Sequence, residues 1–137
     1  MVGVVVVSHG NLASALLSTA ELIAGACPNA HALELGTDEA PEAFRERLLS
    51  SLTTGDDAPA EWLVLTDLLG GTPHRVASML SEELPRPKAC VVVSGVNLAM
   101  VVDALLSCEG HTTARDLALH VASVGLQQVR ESVRDDL

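Results

Sequence analysis

Side chains of the types that act in catalysis follow three apolar runs of this 137-residue chain. His9 comes shortly after residues 2–7, and Asp67 comes directly after residues 61–66. Asn97 lies in the loop after a third run. A carboxylate that holds the Nδ1 proton of an imidazole fixes its tautomer and leaves Nε2 free to attack an electrophile. His9 and Asp67 are therefore the candidate catalytic pair, and Asn97 is a candidate supporting residue.

A glycine-rich turn after the third predicted strand can bind an anion. Gly70 and Gly71 let the backbone approach a ligand, and their N–H groups and the Thr72 hydroxyl can hold an anion where a helix begins. Gly10, directly after His9, offers a similar N–H at the start of the first predicted helix. This inventory suits reversible phosphorylation of His9. The sequence has no Walker motif and no kinase glycine-rich loop, so a phosphorylated protein fits the donor better than ATP.

The elements that must position these residues alternate along the chain. Strands are predicted at residues 2–7, 30–35, 61–66 and 88–93, and helices at residues 12–24, 41–52, 73–84, 98–106 and 113–124. Thr72 is expected to cap the third helix, and Asn97 can cap the fourth. The alternation predicts an α/β fold, in which a mostly parallel sheet of about four strands lies between two layers of helices. Ligands of such sheets bind at the carboxyl ends of the strands.

Composition narrows the classes of function. Eight basic and 18 acidic residues give a formal net charge of −10, which disfavours nucleic acid and anionic membranes as partners. No apolar run reaches the ~18 residues of a membrane span, and the start of the chain does not read as a signal peptide. The three cysteines, an odd number, indicate a reducing compartment. We therefore expect a cytoplasmic protein, and the absence of paired Cys or His spacings predicts no metal or other cofactor.

Three blocks of sequence carry a family resemblance. The first is a strand followed by Ser-His-Gly at residues 8–10, and the second is a strand followed by D-L-L-G-G-T-P at residues 67–73. The third is S-G-V-N and the helix after it, residues 94–103, and the segment 19–25 resembles the family's first helix. In order and spacing, over about residues 2–125, the chain resembles the IIA domains of the mannose/fructose/sorbose class of the sugar phosphotransferase system.

The resemblance implies a function and a set of partners. It implies that His9 is phosphorylated on Nε2, that Asp67 orients its ring, and that Thr72 and the nearby backbone hold the phosphoryl group. The implied donor is phosphorylated HPr, and the implied acceptor is a IIB domain that serves sugar uptake through the membrane subunits IIC and IID. Family members are homodimers that exchange a C-terminal strand. Residues 1–126 are accordingly expected to form the IIA domain, and residues 127–137 a short tail or an exchanged antiparallel edge strand.

Three other functions fit part of the pattern. A regulatory protein of the same family would carry the same phosphohistidine site without a transport role. Sirohydrochlorin-type chelatases also have a histidine after the first strand, but they lack the D-x-x-G-G-T-P block. A hydrolase built from Ser8, His9 and Asp67 is disfavoured, because neighbouring side chains on an extended segment point in opposite directions.

The remaining histidines are expected to lie outside the catalytic machinery. His31, His111 and His120 fall in a weak strand, a loop and a helix, and are expected to be structural or solvated. His74 stands where the family often has phenylalanine. Its ring could touch the site, but a position on the surface of the third helix is expected.

Overall fold

The computed structural model describes residues 1–110, 113–132 and 135. Strands and helices alternate there as the sequence pattern predicts. The elements are β1 (Val2–His9), α1 (Leu12–Ala24), β2 (Ala30–Leu35), α2 (Pro41–Thr53), β3 (Glu61–Thr66), α3 (Thr72–Glu83), β4 (Ala89–Val93), α4 (Leu98–Ser107) and α5 (Ala114–Gln127). None of these helices is long and apolar enough to cross a bilayer.

The four strands form one parallel sheet, which confirms the predicted fold class. Their order is β2-β1-β3-β4, so β1 lies between β2 and β3. In the register of the sheet, Val7 on β1 pairs with Thr66 on β3, and His9 pairs with Leu35 on β2. Because β1 and β3 are adjacent and parallel, His9 and Asp67 leave the sheet side by side at its carboxyl edge.

Each face of the sheet packs against its own layer of helices. Alternate residues of a strand point to opposite faces, so Val4 and Val6 contribute to one core and Val5 and Val7 to the other. The first core contains residues of α1, α4 and α5, and the second contains residues of α2 and α3. This double burial explains why β1 is a continuous apolar run instead of an alternating one.

Several helix ends differ from the sequence prediction by one residue, and the end of α5 differs by three. The prediction that Thr72 caps α3 is wrong, because Thr72 is already helical and the extended residue Gly71 occupies the cap position. The helix α5 was predicted to end at residue 124 but continues to Gln127. Gly125 does not break it, since this glycine packs against the Met100 side chain, where a Cβ atom would overlap the thioether.

The C-terminal segment forms no strand in the part that the structure describes. Residues 128–132 follow α5 without pairing to the sheet. The expected antiparallel edge strand is therefore not seen among these residues, while Val133 lies outside the described ones. Exchange of residues 127–137 between two subunits stays a prediction.

We expect the cross-strand pair of Gly3 and Trp62 to be intolerant of any added side chain. The two residues are neighbours in the register of β1 and β3, and a Cβ atom on Gly3 would overlap the buried indole ring. Gly3→Ala should therefore lower the free energy of unfolding by about 1–3 kcal/mol. Urea unfolding followed by far-UV circular dichroism measures the change.

Gly110→Ala is the matched control, because its Cβ atom would lie 3.7 Å from the Ser107 carbonyl oxygen, an ordinary contact. It should shift the free energy by less than about 0.5 kcal/mol. Equal unfolding midpoints for the two variants would show that the Gly3 contact does not constrain the sheet.

Candidate functional site

The carboxyl ends of β1 and β3 bring His9 and Asp67 into direct contact. Nδ1 of His9 lies 2.7 Å from Oδ2 of Asp67, and the same oxygen accepts the backbone N–H of His9 at 2.9 Å. The other carboxylate oxygen accepts the backbone N–H of Leu68 at 2.8 Å. Both oxygens are thus engaged, and the ring is held by its Nδ1 side. The structure brings this pair together as the spacing predicts.

The electrostatics of the pair favour an ionised carboxylate. The Asp67 side chain is only 9% exposed, whereas that of His9 is 45% exposed. Burial alone would raise the pKa of Asp67, but hydrogen bonds from the amide and ring of His9 and from the Leu68 amide outweigh it and lower this pKa below its usual value. A carboxylate that is charged at neutral pH holds the Nδ1 proton, so the proton-free nitrogen is Nε2.

Ser8 holds the backbone on both sides of the turn that follows β1. Its side chain is fully buried, and its hydroxyl accepts the backbone N–H of Ala13 at 2.7 Å and donates to the His9 carbonyl at 3.0 Å. Ser8 therefore anchors the start of α1 to the end of β1. The sequence signal for this role is a buried polar residue at the junction of strand and helix, where a hydroxyl can satisfy a free N–H of the first turn.

Gly71 lets the start of α3 approach the imidazole. A Cβ atom on Gly71 would lie only 3.0 Å from Cε1 of His9, the ring carbon between Nδ1 and Nε2. Gly70, the residue before it, has a φ of +81°, a conformation that favours glycine. The positive end of α3 therefore lies close to the His9 ring.

The hydrogen-bond donors around the ring are only partly as predicted. Gly70 donates its N–H to Nδ1 of His74, and Gly71 donates its N–H to the Leu68 carbonyl, each at 3.1 Å. Within the described ranges, the N–H groups of Gly10 and Thr72 have no hydrogen-bond acceptor. Gly10 and Thr72 therefore have free N–H groups for an anion, whereas those of Gly70 and Gly71 would first have to leave their present acceptors.

His74 is partly exposed on α3, as expected, and also contacts the glycine-rich turn beside the site. It is half-buried; its Nδ1 accepts the Gly70 N–H, and its Nε2 lies 3.5 Å from the Ser78 hydroxyl. With Gly71 as the cap of α3, His74 is the third helical residue, the position from which a side chain reaches back to an N–H before the helix. A hydrogen-bond acceptor at the third helical position was the sequence signal that could have predicted this contact.

Asn97 caps α4, and among the described residues its side-chain hydrogen bonds go to Met100 and Gly125 instead of His9. Its Oδ1 accepts the Met100 N–H at 3.1 Å and so caps α4, and its amide group donates to the Gly125 carbonyl at 3.2 Å. The loop before it holds the end of β3 by backbone contacts, since Gly95 donates to the Asp67 carbonyl at 3.0 Å. Asn97 thus connects this loop to α4 and α5.

A second histidine–carboxylate pair lies on the helical surface. Nε2 of His120 is 2.8 Å from Oδ2 of Asp103, and the His120 side chain is as exposed as that of His9. This pair joins α5 to α4 and has no glycine-rich turn beside it. His31 stacks near Trp62, with 5.7 Å between the ring centroids. His111 lies outside the described residues.

Asp67→Asn should remove a stabilising contribution that depends on pH. The folded pKa of Asp67 lies below its unfolded value of 3.8, so the contribution is fully present above about pH 5 and is lost as the pH falls through the folded pKa. We expect the variant to lose about 1–3 kcal/mol of unfolding free energy at neutral pH, and the difference from wild type to shrink in acid. Urea unfolding at several pH values measures it.

Glu39→Gln is the control for acid titration elsewhere. The hydrogen bond from Arg47 is the main cause that lowers the pKa of Glu39 to about 2, so this variant also changes acid stability, but without touching His9. A difference between wild type and Asp67→Asn that stays constant from neutral pH into acid would contradict the ionised state of Asp67.

His74→Phe should release the Gly70 N–H while filling the same space. We expect the Gly70 amide to exchange its hydrogen faster than in wild type, and the protein to lose about 0.5–1.5 kcal/mol of stability. His74→Asn, which retains an acceptor, should preserve more of the protection. Hydrogen exchange followed by NMR measures each amide, and unchanged Gly70 exchange in His74→Phe would disprove the contact.

Comparison with known proteins agrees with this geometry. Residues 3–121 match the family model EIIA-man, described as the PTS system fructose IIA component. The sorbose-specific EIIA component of Lacticaseibacillus casei is 26% identical over 121 residues, which are 88% of this chain and 83% of that protein. The fructose-specific EIIA component of Bacillus subtilis (strain 168) is 28% identical over 129 residues, covering 93% and 84% of the two chains.

A solved structure extends the likeness to the fold. The phosphotransferase system component EIIA from Streptococcus agalactiae superimposes with a TM-score of 0.87 at 34% identity, over 96% of this chain and 97% of that one. The family match spans most of the sequence and includes both His9 and Asp67. The chain therefore belongs to the EIIA-man family of phosphotransferase-system IIA components, which serve phosphotransfer in sugar transport.

Proposed function

We propose that this protein carries a phosphoryl group on Nε2 of His9, as a IIA component of a sugar phosphotransferase system. The observation that carries the proposal is the 2.7 Å contact between Nδ1 of His9 and Oδ2 of Asp67. It commits one ring nitrogen to a carboxylate and leaves the other as the nucleophile. The half-exposed ring lets a second protein reach that nitrogen.

The reaction that fits this arrangement is an in-line transfer between two histidines. The lone pair of His9 Nε2 attacks the phosphorus of the donor phosphohistidine, and the bond between that phosphorus and the donor nitrogen breaks. Asp67 keeps the Nδ1 proton and balances the positive charge that develops on the His9 ring. The leaving imidazole of the donor regains its electron pair and takes up a proton from solvent.

The phosphoryl oxygens would meet donors from two helix starts. The free N–H groups of Gly10 and Thr72 and the Thr72 hydroxyl lie in this region, and an Nη of Arg75 is 3.4 Å from that hydroxyl. Gly70 and Gly71 would join them if their N–H groups turned from their present acceptors to the phosphoryl group. The N–H groups of Gly10 and Thr72, which are already free, would stabilise the charge on the equatorial oxygens without such a rearrangement.

The surface around His9 suits a protein donor. Leu68 and Leu69 follow Asp67 directly and are 64% and 78% exposed, and Leu12 at the start of α1 is also exposed. Apolar side chains beside a phosphorylation site are typical of a face that another protein covers. We propose phosphorylated HPr as the donor and a IIB component as the acceptor, which would serve the membrane subunits IIC and IID from the cytoplasm, with a homodimer as the working form.

His9→Ala should abolish phosphorylation. After incubation with phosphoenolpyruvate, enzyme I and HPr, intact-mass spectrometry at alkaline pH should show one added phosphoryl group on the wild type and none on the variant. Asp67→Asn should slow the reaction by about 10- to 100-fold, the effect of losing one charged hydrogen bond. The readout is the rate of mass gain.

His120→Ala is the matched control, because it removes an equally exposed histidine that also contacts an aspartate. It should be phosphorylated at the wild-type rate. Phosphorylation that persists in His9→Ala, or disappears in His120→Ala, would refute the assignment.

A second experiment separates a transport component from a regulatory protein of the same family. A transport component should pass its phosphoryl group to a IIB protein.

A further inference from the structure

Two of the three cysteines meet in space although they are far apart in sequence. Cys27 lies in the loop between α1 and β2, and Cys108 directly follows α4, 81 residues later. Their Sγ atoms are 3.5 Å apart, and both thiols are free. The sequence spacing gave no indication of a pair, and neither residue contributes to the site around His9.

We propose that Cys27 and Cys108 form a dithiol modification site, which low-molecular-weight disulfides oxidise to an intramolecular disulfide bond. A disulfide has a sulfur–sulfur distance of about 2.05 Å, so the two atoms must approach by about 1.5 Å. The loop that carries Cys27 is suited to this shift, because the preceding residues Gly25 and Ala26 are exposed.

The two thiols differ in access, which sets the order of the chemistry. Cys27 is half-buried, whereas Cys108 is 1% exposed. Burial, followed by the neighbouring Cys27 thiol, raises the pKa of Cys108 to about 11. Cys27 is therefore the residue that a dissolved oxidant reaches first, and Cys108 acts afterwards from within the protein.

The reaction balances as two thiol–disulfide exchanges. The Cys27 thiolate attacks one sulfur of the small disulfide and forms a mixed disulfide, while the other half leaves as a thiolate and is protonated. Cys108 then loses its proton, attacks Sγ of Cys27 and expels the second small thiol. The protein loses two hydrogens and two electrons, and the oxidant becomes two thiols.

The bond would form near the amino end of β1, at the end of the sheet opposite to the candidate site. The Cys108 carbonyl accepts the backbone N–H of Val2, the first residue of β1, whereas His9 is the last residue of that strand. An eight-residue strand spans about 23 Å. Oxidation would therefore tie the end of α1 to the end of α4 without touching His9, so the proposal is independent of the proposed function.

Cys90 provides an internal reference. It lies in β4 and packs in the core between the sheet and the helices α2 and α3, whereas Cys27 and Cys108 pack against the other core. Burial raises the pKa of the Cys90 thiol to about 11. The oxidant should leave this cysteine reduced.

The test counts free thiols in the folded full-length chain. The protein is incubated with oxidised glutathione, then denatured and alkylated, and the number of alkyl groups is read from the intact mass. Wild type should fall from three alkylated thiols to one, and Cys90→Ser from two to none. Cys108→Ser should stop at a glutathione adduct on Cys27, because no second thiol can displace it. Cys27→Ser should keep both of its remaining thiols.

Four outcomes would overturn the proposal. They are three alkylated thiols in oxidised wild type, a disulfide-linked dimer instead of an intramolecular bond, oxidation of Cys90, and loss of thiols from Cys27→Ser at the wild-type rate. Peptide mapping of the oxidised wild type identifies the two linked cysteines. Phosphorylation of the oxidised protein, if His9 is the acceptor, should proceed as in the reduced form.

Discussion

The adjacency of β1 and β3 in a parallel sheet is the constraint on which the candidate site depends. It makes the carboxyl ends of two strands, 58 residues apart in sequence, neighbours in space. One carboxylate then serves three purposes, because Asp67 accepts the backbone N–H and the ring of His9 and also the N–H of Leu68. A shift of one residue in this register would reverse the faces of the strand and separate the pair.

The second requirement is that a helix start reaches the free side of the ring. Gly71 permits this because it has no Cβ atom, and His74 holds the preceding amide from the first turn of α3. The ring of His9 thus contacts a carboxylate and also lies close to the positive end of a helix. The carboxylate favours a proton on Nδ1, and the helix end favours an anion nearby.

The sequence predicted what depends on periodicity and missed what depends on three-dimensional contacts. The strands, the parallel sheet and the meeting of His9 with Asp67 follow from apolar runs and from the rule that parallel strands end at one edge. The cap of α3 and the contact of His74 with Gly70 depend on the extended backbone conformation of Gly71, which the sequence pattern does not specify. The contact of Cys27 with Cys108 arises only when α1 and α4 pack on the same core, which no local pattern encodes.

The surroundings of the two histidine–aspartate pairs are what favours His9 over His120 as the proposed phosphorylation site. The side chains of His9 and His120 are equally exposed, and in each ring one nitrogen lies within 2.8 Å of a carboxylate oxygen. The difference lies in the surroundings and in the nitrogen used. Asp103 engages Nε2 of His120 on a helical surface, while Asp67 engages Nδ1 of His9, whose ring lies close to a glycine-rich helix start. The proposed chemistry therefore belongs at the carboxyl edge of the sheet, where Asp67 holds the His9 ring and the N–H groups of Gly10 and Thr72 are free.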